Sequence, residues 1–230
     1  MQRGTRAFTL IELLVVVAII ALLISILLPS LSGARQRANK VKCATNLRSL
    51  ALLDFQYSQE NNYIVPRDSS GSHPSVFYLL ATMQRIKLTA GTSTGNFESE
   101  YKDAYSKLKW LNCPSFPKVG QAVCFVDNAF NPANIGSTVP YMRTNQIKRP
   151  QDTVNFADGN TNLPVDSFDV YDLWDPGHIQ SNATSAVSGG SHVGRVLSDT
   201  RHRGEINLSY YDSHVDSKPY KKLTMMDFVN

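Results

Sequence analysis

Hydrophobic residues are concentrated in one stretch near the N-terminus. Between residues 8 and 28 the only polar residues are Thr9, Glu12 and Ser25, whereas the rest of the chain mixes apolar and polar positions as soluble proteins do. As a helix, this stretch would be roughly 30 Å long, which is enough to cross the hydrocarbon layer of a bilayer. The pattern therefore predicts a membrane-spanning helix over residues 8–28.

The helical pattern continues beyond this apolar stretch. Its apolar positions keep the three- and four-residue spacing of a helix with one dry side, at Leu31, Ala34, Ala38, Val41, Leu47, Leu50 and Ala51. The spacing predicts one helix over residues 8–58, in which residues 29–58 form an amphipathic stem that packs under a globular head over residues 59–230. Pro29, at the junction, predicts either a local bend or melting of the helix, or merely the exit from the membrane.

The head is predicted to begin with helices and to end with strands. Helical spacing covers residues 74–88 and recurs over residues 97–108. Strand patterns follow at residues 122–126, 153–157, 205–211 and 214–218, and Asp212-Ser213 closes the last hairpin with a turn that favours Gly at its second position. These elements predict an α+β fold, in which an antiparallel β-sheet packs against the long N-terminal helix.

Composition and charge exclude several classes of function. The chain is 42% hydrophobic, which excludes disorder as its main state, and its net charge of +4 is too small for a protein that coats nucleic acid. It has no phosphate-binding loop, and Gly190-Ser191-His192 lacks the second glycine of a nucleophile elbow. We therefore expect no enzymatic activity, no cofactor and no nucleic-acid partner.

Two basic residues, Arg3 and Arg6, precede the run Ala7-Phe8-Thr9-Leu10-Ile11-Glu12-Leu13-Leu14. Together these residues resemble the processing site of type IV prepilins and of the pseudopilins of type II secretion. In that family a peptidase removes a short basic leader before Phe and the new amine is methylated. The resemblance thus implies a leader over residues 1–7, cleavage between Ala7 and Phe8, and Glu12 as the fifth mature residue. The family usually has Gly where this chain has Ala7.

The same resemblance implies a structural subunit of a type IV pilus or a type II secretion pseudopilus. Such a subunit is anchored in the bacterial inner membrane by one span, with its head in the periplasm. Its partners would be the prepilin peptidase/N-methyltransferase and other pilin-like subunits. A buried Glu12 could neutralise the N-terminal amine of an adjacent subunit and so fix the filament's registry. Pro29 also matches the helix-kinking proline of many pilins.

Several alternatives remain open at this stage. Glu12 could face the lipid headgroups, or a signal peptidase could cut after Ala34 and release a soluble protein. The chain could also be a membrane-anchored ligand- or metal-binding surface protein that never polymerises. Positive charge is denser after the span than before it, at Arg35, Arg37, Lys40, Lys42 and Arg48 against Arg3 and Arg6. Taken alone, this distribution favours the orientation opposite to that of a pilin.

The C-terminal region carries a second, narrower resemblance. His202, nine intervening residues, Asp212, Ser213, His214 and Val215 resemble the His-nine residues-Asp-Gly motif of a subset of bacterial pilin-like proteins, with Ser213 in place of Gly. The resemblance implies no settled role for these residues. From their chemistry, His202, Asp212 and His214 are either metal ligands or, as we prefer, turn and packing residues.

Cysteine and acidic residues provide the remaining candidate sites. In an oxidising compartment Cys43, Cys113 and Cys124 predict one disulfide, and we favour Cys43 with Cys113, with three free thiols as the alternative. Two acidic sets could bind calcium: Asp158, Asn160, Asn162 and Asp169, and Asp166, Asp169, Asp172 and Asp175. In the first set Leu163 stands where a calcium loop needs Gly, so we predict solvated loops and no metal.

Overall fold

The computed structural model describes residues 9–67, 76–86, 105, 107–116, 123–130, 141–160, 172–173, 179, 196 and 201–229. The predicted leader and the cleavage site at Ala7 and Phe8 lie outside these residues. The chain divides into two compact units, Met1–Ala38 and Asn39–Asn230. The second half of the long helix therefore belongs to the same unit as the β-sheet, which we call the head unit.

The long N-terminal helix, α1, spans Leu10–Glu60 and has 51 residues, in agreement with the prediction for residues 8–58. It ends where Asn62 and Tyr63 adopt left-handed backbone conformations with φ of 54° and 61°. There the amide of Tyr63 donates a 2.6 Å hydrogen bond to the carbonyl of Ser58. This geometry terminates a helix by satisfying a carbonyl that would otherwise lack a partner.

Pro29 lies in the interior of α1, and the helix continues on both sides of it. Proline has no amide hydrogen, so the hydrogen bond to the carbonyl of Ser25 is missing from the helix. The remaining bonds nevertheless keep the helical assignment intact. The helix is therefore not melted at Pro29, while a local bend and the membrane exit at this residue stay predictions.

The head unit is built on a five-stranded sheet with the strand order β5-β2-β4-β6-β7. The strands are β2 (Phe125–Asn128), β4 (Val154–Asp158), β5 (Asp172–Leu173), β6 (Glu205–Tyr210) and β7 (Val215–Pro219). All neighbours are antiparallel except β2 and β5, which are parallel. A separate antiparallel pair joins β1 (Ile64–Pro66) and β3 (Tyr141–Arg143). The predicted antiparallel sheet is thus confirmed.

The helix predicted over residues 74–88 and the four predicted strands overlap observed elements. The helix predicted over residues 74–88 is α2, Val76–Met83. Of the helix predicted over residues 97–108, the structure describes Tyr105, Lys107 and Leu108, which precede a short 3₁₀ helix at Lys109–Leu111. The sequence pattern missed β1, β3 and β5, which have three, three and two residues. Strands this short contain too few positions to show an alternation.

The sheet has a buried core on each face. On one face, Cys43, Leu47 and Leu50 of α1 pack with residues of α2 and with Phe125 and Phe156 of the sheet. On the other face, residues such as Val126, Ala157, Ile206, Leu208 and Phe228 form a second cluster. Packing of the stem against the sheet was predicted and is confirmed.

The stem packs over a shorter length than predicted. Its buried residues are Cys43, Leu47, Leu50, Ala51, Asp54 and Ser58, which recur at helical intervals. The earlier members of the predicted stripe are exposed, and Leu31 and Val41 retain 65% and 66% of their surface. The dry side of the stem therefore begins at Cys43 and includes two polar residues.

Strand β6 is buried on both faces. Its apolar residues Ile206 and Leu208 belong to the cluster that lies away from the stem. Asn207 and Ser209 alternate with them, and both have no exposed surface. The polar residues of β6 are therefore buried on the stem side of the sheet, where each needs a hydrogen-bond partner.

Candidate assembly helix and buried head cluster

The N-terminal part of α1 exposes its apolar side chains. No residue from Thr9 to Ser32 is buried, and Leu10 retains 79% of its surface. In the part of the chain that the structure describes, α1 is the one helix long and apolar enough to cross a membrane. Burial of each leucine or isoleucine side chain is worth about 1.5–3 kcal/mol. This segment therefore requires lipid or other apolar helices around it.

Glu12 is bonded to the start of its own helix. One carboxylate oxygen of Glu12 accepts hydrogen bonds of 2.8 Å from both the backbone amide and the hydroxyl of Thr9. In return, the amide of Glu12 donates to the Thr9 hydroxyl over 3.3 Å. This reciprocal arrangement is a capping box, which satisfies amides that have no partner within the helix. Sequence reasoning missed this role, although Thr at one position and Glu three residues later is its signature.

A second group of reactive side chains is buried in the head unit. Cys43, Cys113, Asp158 and His202 each place one ligand atom within 4.8 Å of the others, and all four are buried. We call this group the buried cluster. Its members come from α1, from the segment after the 3₁₀ helix, from the end of β4 and from the turn before β6.

Hydrogen bonds connect the members of the buried cluster. The Cys43 thiol donates to Oδ1 of Asp158 over 3.1 Å. Nε2 of His202 lies 3.5 Å from Sγ of Cys113 and 3.6 Å from Oδ2 of Asp158. Oδ2 of Asp158 also accepts the amide of Asn207 at 2.9 Å. Asp158 is thus held by the neighbouring strand in a position that reaches both Cys43 and His202.

The environment changes the acidity of the three thiols in different directions. Burial, together with the nearby Cys113 and Asp158, raises the pKa of Cys43. The neighbouring Cys43 side chain, with a further contribution from His202, lowers the pKa of Cys113. Burial raises the pKa of Cys124 to about 12. Cys113 is therefore the thiol that most readily becomes a thiolate, while Cys124 stays protonated.

The backbone around the buried cluster takes conformations that few residues adopt. His202, Arg203 and Gly204 are consecutive left-handed residues, with φ of 51°, 61° and 81°. Such conformations cost of order 1 kcal/mol or more for residues other than glycine and persist where the surroundings enforce them. Gly159 follows Asp158, a member of the buried cluster. A Cβ on Gly159 would lie 3.1 Å from the carbonyl oxygen of Cys124, so glycine permits the close approach of these two backbone segments.

The N-terminus matches a known family. A model described as the prokaryotic N-terminal methylation motif matches residues 2–28. The N-terminus of the chain therefore carries this methylation motif. It is also 43% identical over 61 residues to the type IV wide pilus major component PilA4 of Thermus thermophilus, a match that covers 26% of this chain and 47% of the relative. The predicted resemblance to prepilins is thereby confirmed.

A second relative comes from a secretion system. The chain is 34% identical over 62 residues to the type II secretion system core protein G of Dickeya chrysanthemi, a match that covers 27% of this chain and 40% of the relative. The matched regions span less than half the length of either relative. No solved structure matches the chain. Membership of the subset with the C-terminal histidine and aspartate motif stays a prediction.

The structure separates the residues of the C-terminal motif. His202 belongs to the buried cluster, whereas Asp212 and His214 are exposed at the β6–β7 turn. There Oδ1 of Asp212 lies 2.5 Å from Nδ1 of His214 and accepts the His214 amide at 3.1 Å. Ser213 has a φ of 70°, which explains why this turn favours Gly. Asp212 therefore contacts both the side chain and the backbone of His214 within the turn.

The cysteines are brought together, but they are not bonded. Cys43, Cys113 and Cys124 are all free and buried. The predicted Cys43–Cys113 disulfide is therefore not formed in this structure, although the two residues are neighbours in the buried cluster. The alternative of three buried free thiols describes the structure.

The candidate calcium residues are only partly described. Asn162, Asp166, Asp169 and Asp175 lie outside the described residues. Asp158 and Asn160 are both buried, and Asp158 is bonded to Cys43 and to Asn207. Asp158 is therefore part of the buried cluster rather than of a solvated loop. Sequence reasoning had not grouped it with the cysteines.

Proposed function

We propose that this protein is a structural subunit of a type IV pilus-like filament or a type II secretion pseudopilus. The observation that carries the proposal is the apolar first part of α1, in which every described residue is exposed and which overlaps the matched methylation motif. In the proposed cycle, lipid surrounds this segment before assembly, and the same segments of sister subunits surround it afterwards. Because lipid tails and apolar side chains are similarly apolar, the exchange costs little.

Processing is the first step of the proposed function. The prepilin peptidase/N-methyltransferase removes residues 1–7 between Ala7 and Phe8 and methylates the new amine. Intact-mass analysis of the mature protein tests this step. Loss of residues 1–7 together with the addition of one methyl group supports it. An unprocessed chain, or one that begins at Arg35, contradicts it.

We propose a single-pass orientation in the inner membrane, with the head unit in the periplasm. The length of the apolar segment supports one span, while the charges that follow it favour the reverse orientation. Protease treatment of spheroplasts decides between the two. Digestion of the head from outside supports the proposal, and full protection of the head in sealed spheroplasts contradicts it.

Glu12 is proposed to align subunits in the filament. In the single chain its carboxylate is held by Thr9 within the capping box. When a neighbour's methylated amine approaches, the carboxylate would exchange these neutral donors for a charged one. Hydrogen bonds between charged groups are roughly twice as strong as neutral ones. The capping box thus keeps the carboxylate satisfied until a partner amine replaces it.

Three variants separate alignment by charge from simple helix capping. Glu12→Gln keeps a hydrogen-bond acceptor but removes the charge, and Thr9→Val removes the capping hydroxyl but keeps the charge. Glu12→Ala removes both the hydrogen-bond acceptor and the charge. If the charge aligns subunits, both Glu12 variants abolish filament formation and Thr9→Val assembles.

The experiment measures the filament yield in sheared fractions from cells with a working assembly system. Glu60→Ala, at the exposed end of the same helix, is the matched control and should assemble normally. Normal assembly of Glu12→Gln would contradict the alignment role. Absence of any filament for the unmodified chain, with Glu12 dispensable, would favour a membrane-anchored surface protein that does not polymerise.

A further inference from the structure

We propose that the buried cluster is a structural zinc site in which Cys43, Cys113, Asp158 and His202 are the four ligands. This inference concerns the head unit alone and does not depend on filament formation. The four ligand atoms lie within 4.8 Å of one another. They are separated along the chain by intervals of more than forty residues, so only the folded head brings them together.

Two distances at His202 match those expected for tetrahedral coordination. Ligand atoms that sit about 2.0–2.3 Å from a tetrahedral zinc ion are about 3.3–3.8 Å from one another. In the buried cluster, Cys113 Sγ and His202 Nε2 are 3.5 Å apart, and His202 Nε2 and Asp158 Oδ2 are 3.6 Å apart. Cys43 Sγ lies 3.1 Å from the other oxygen of Asp158. The limit of 4.8 Å on the separations exceeds the tetrahedral range by about 1 Å, so an ion at the centre would draw the more distant ligand atoms together.

The donor set selects zinc over other common divalent cations. Two sulfur donors, one imidazole and one carboxylate are typical of zinc, whereas calcium and magnesium prefer oxygen ligands alone. Four protein ligands leave no open position for water. All four residues are buried, which is the arrangement of a closed, structural site rather than a catalytic one.

The surrounding residues can compensate the charge of the site. Zinc with two thiolates, one carboxylate and a neutral imidazole carries one net negative charge. The buried guanidinium of Arg201 donates to the carbonyl of Gly159, next to Asp158. Its Nε and Nη1 atoms have no hydrogen-bond partner among the described residues. A buried positive charge beside the site therefore offsets the charge of the occupied cluster.

Zinc would connect α1 to the sheet. Cys43 is the first buried residue of the stem, and Asp158 ends the central strand β4. Zinc binding displaces the protons of the two thiols to solvent and involves no oxidation. It would also keep Cys43 and Cys113 from forming a disulfide, since both sulfur atoms are occupied.

The first test measures metal in the full-length protein. The chain is purified in detergent with a phosphine reductant, and its metal content is determined by elemental mass spectrometry. We expect about one zinc per chain, and we expect Cys113→Ser and His202→Ala to lose it. Cys124→Ser is the matched control, because Cys124 is buried nearby but outside the cluster, and it should retain zinc.

The second test uses the unaltered protein, because a ligand variant could fail to fold. The metal is removed with a chelator and replaced with cobalt. A thiolate-to-cobalt charge-transfer band and the visible spectrum of tetrahedral cobalt are expected. Added zinc should raise the thermal midpoint by roughly 5–10 °C at a hundredfold excess over its dissociation constant.

Three results would overturn the zinc site. One is that fully reduced protein binds neither zinc nor cobalt. Another is that zinc binds equally well to Cys113→Ser and His202→Ala variants that remain folded. The third is a Cys43–Cys113 disulfide in protein whose thiols were alkylated before lysis. None of these results bears on whether Glu12 is needed for assembly.

Discussion

The two parts of α1 show that hydrophobicity and burial are different properties. The part before Pro29 is almost entirely apolar, and none of its described residues is buried. The part from Cys43 to Ser58 contains more polar residues, yet it holds all the buried residues of the helix. The exposed apolar side chains of the first part require an apolar environment, from lipid or from other helices. The second part is fixed by specific contacts within the head unit, and these include polar ones.

The buried polar contacts of the stem depend on an ion pair. Nη2 of Arg67 donates to Oδ2 of Asp54 over 2.8 Å, and both side chains are almost fully buried. Asn155 donates to the same oxygen at 2.8 Å, and the guanidinium lies 5.1 Å from the ring of Phe156. A charge left without its partner in this position costs far more than the pair contributes.

The largest expected effect therefore comes from breaking this pair. Arg67→Met leaves the carboxylate of Asp54 buried and should destabilise the head unit by about 3–5 kcal/mol. Chemical denaturation followed by circular dichroism measures the loss. The matched control is Arg149→Met, since Arg149 forms an exposed pair with Asp152, and it should change stability by less than about 1 kcal/mol. Similar losses of unfolding free energy in both variants would show that burial does not determine how much the ion pair affects stability.

A pair of leucines on the same helix tests the comparison directly. Leu47 has no exposed surface, whereas Leu31 retains 65% of its surface. Leu47→Ala should lower the free energy of unfolding by about 2–5 kcal/mol, because it leaves a cavity between α1 and the sheet. Leu31→Ala should change it by less than about 0.5 kcal/mol. Thermal denaturation in detergent compares them, and equal effects would refute the boundary at Cys43.

Gly159 tests how closely β4 approaches its neighbours. Gly159→Ala places a Cβ 3.1 Å from the carbonyl oxygen of Cys124, and a backbone oxygen cannot move away cheaply. We expect a loss of about 1–3 kcal/mol in unfolding experiments. Gly204→Ala is the control with open space around it, where only the left-handed backbone costs about 1 kcal/mol. A stabilised Gly159→Ala variant would show that the strand adjusts freely.

The smallest expected effect is at the start of the head unit. Lys40 forms an ion pair with Glu205, and both side chains are partly exposed. Lys40→Met should cost about 0.2–1 kcal/mol at low salt and less at high salt, because solvent ions screen the pair. Lys42→Met, on the exposed side of the same helix, is the matched control. An effect of Lys40→Met that does not depend on salt would indicate lost packing rather than lost charge.

Sequence patterns over neighbouring residues predicted those elements whose formation depends mainly on neighbouring residues. The 51-residue helix, the break after it and the turn at Ser213 follow from hydrophobic spacing and backbone preferences within a few residues. The alternation of β6 was also visible, but it could not show that Asn207 and Ser209 would be buried. Burial of a polar face depends on what lies opposite, and here that is the stem.

The sequence alone determined the apolar segment, the methylation motif and the long helix, because each depends on residues that follow one another along the chain. The tertiary structure decided that Cys43, Cys113, Asp158 and His202 meet, and that Asp212 and His214 stay apart from them at an exposed turn. The spacing of residues along the chain does not predict which side chains lie close together when the residues belong to different elements. The four side chains come from four separate segments of the chain, so only the folded head unit places them together.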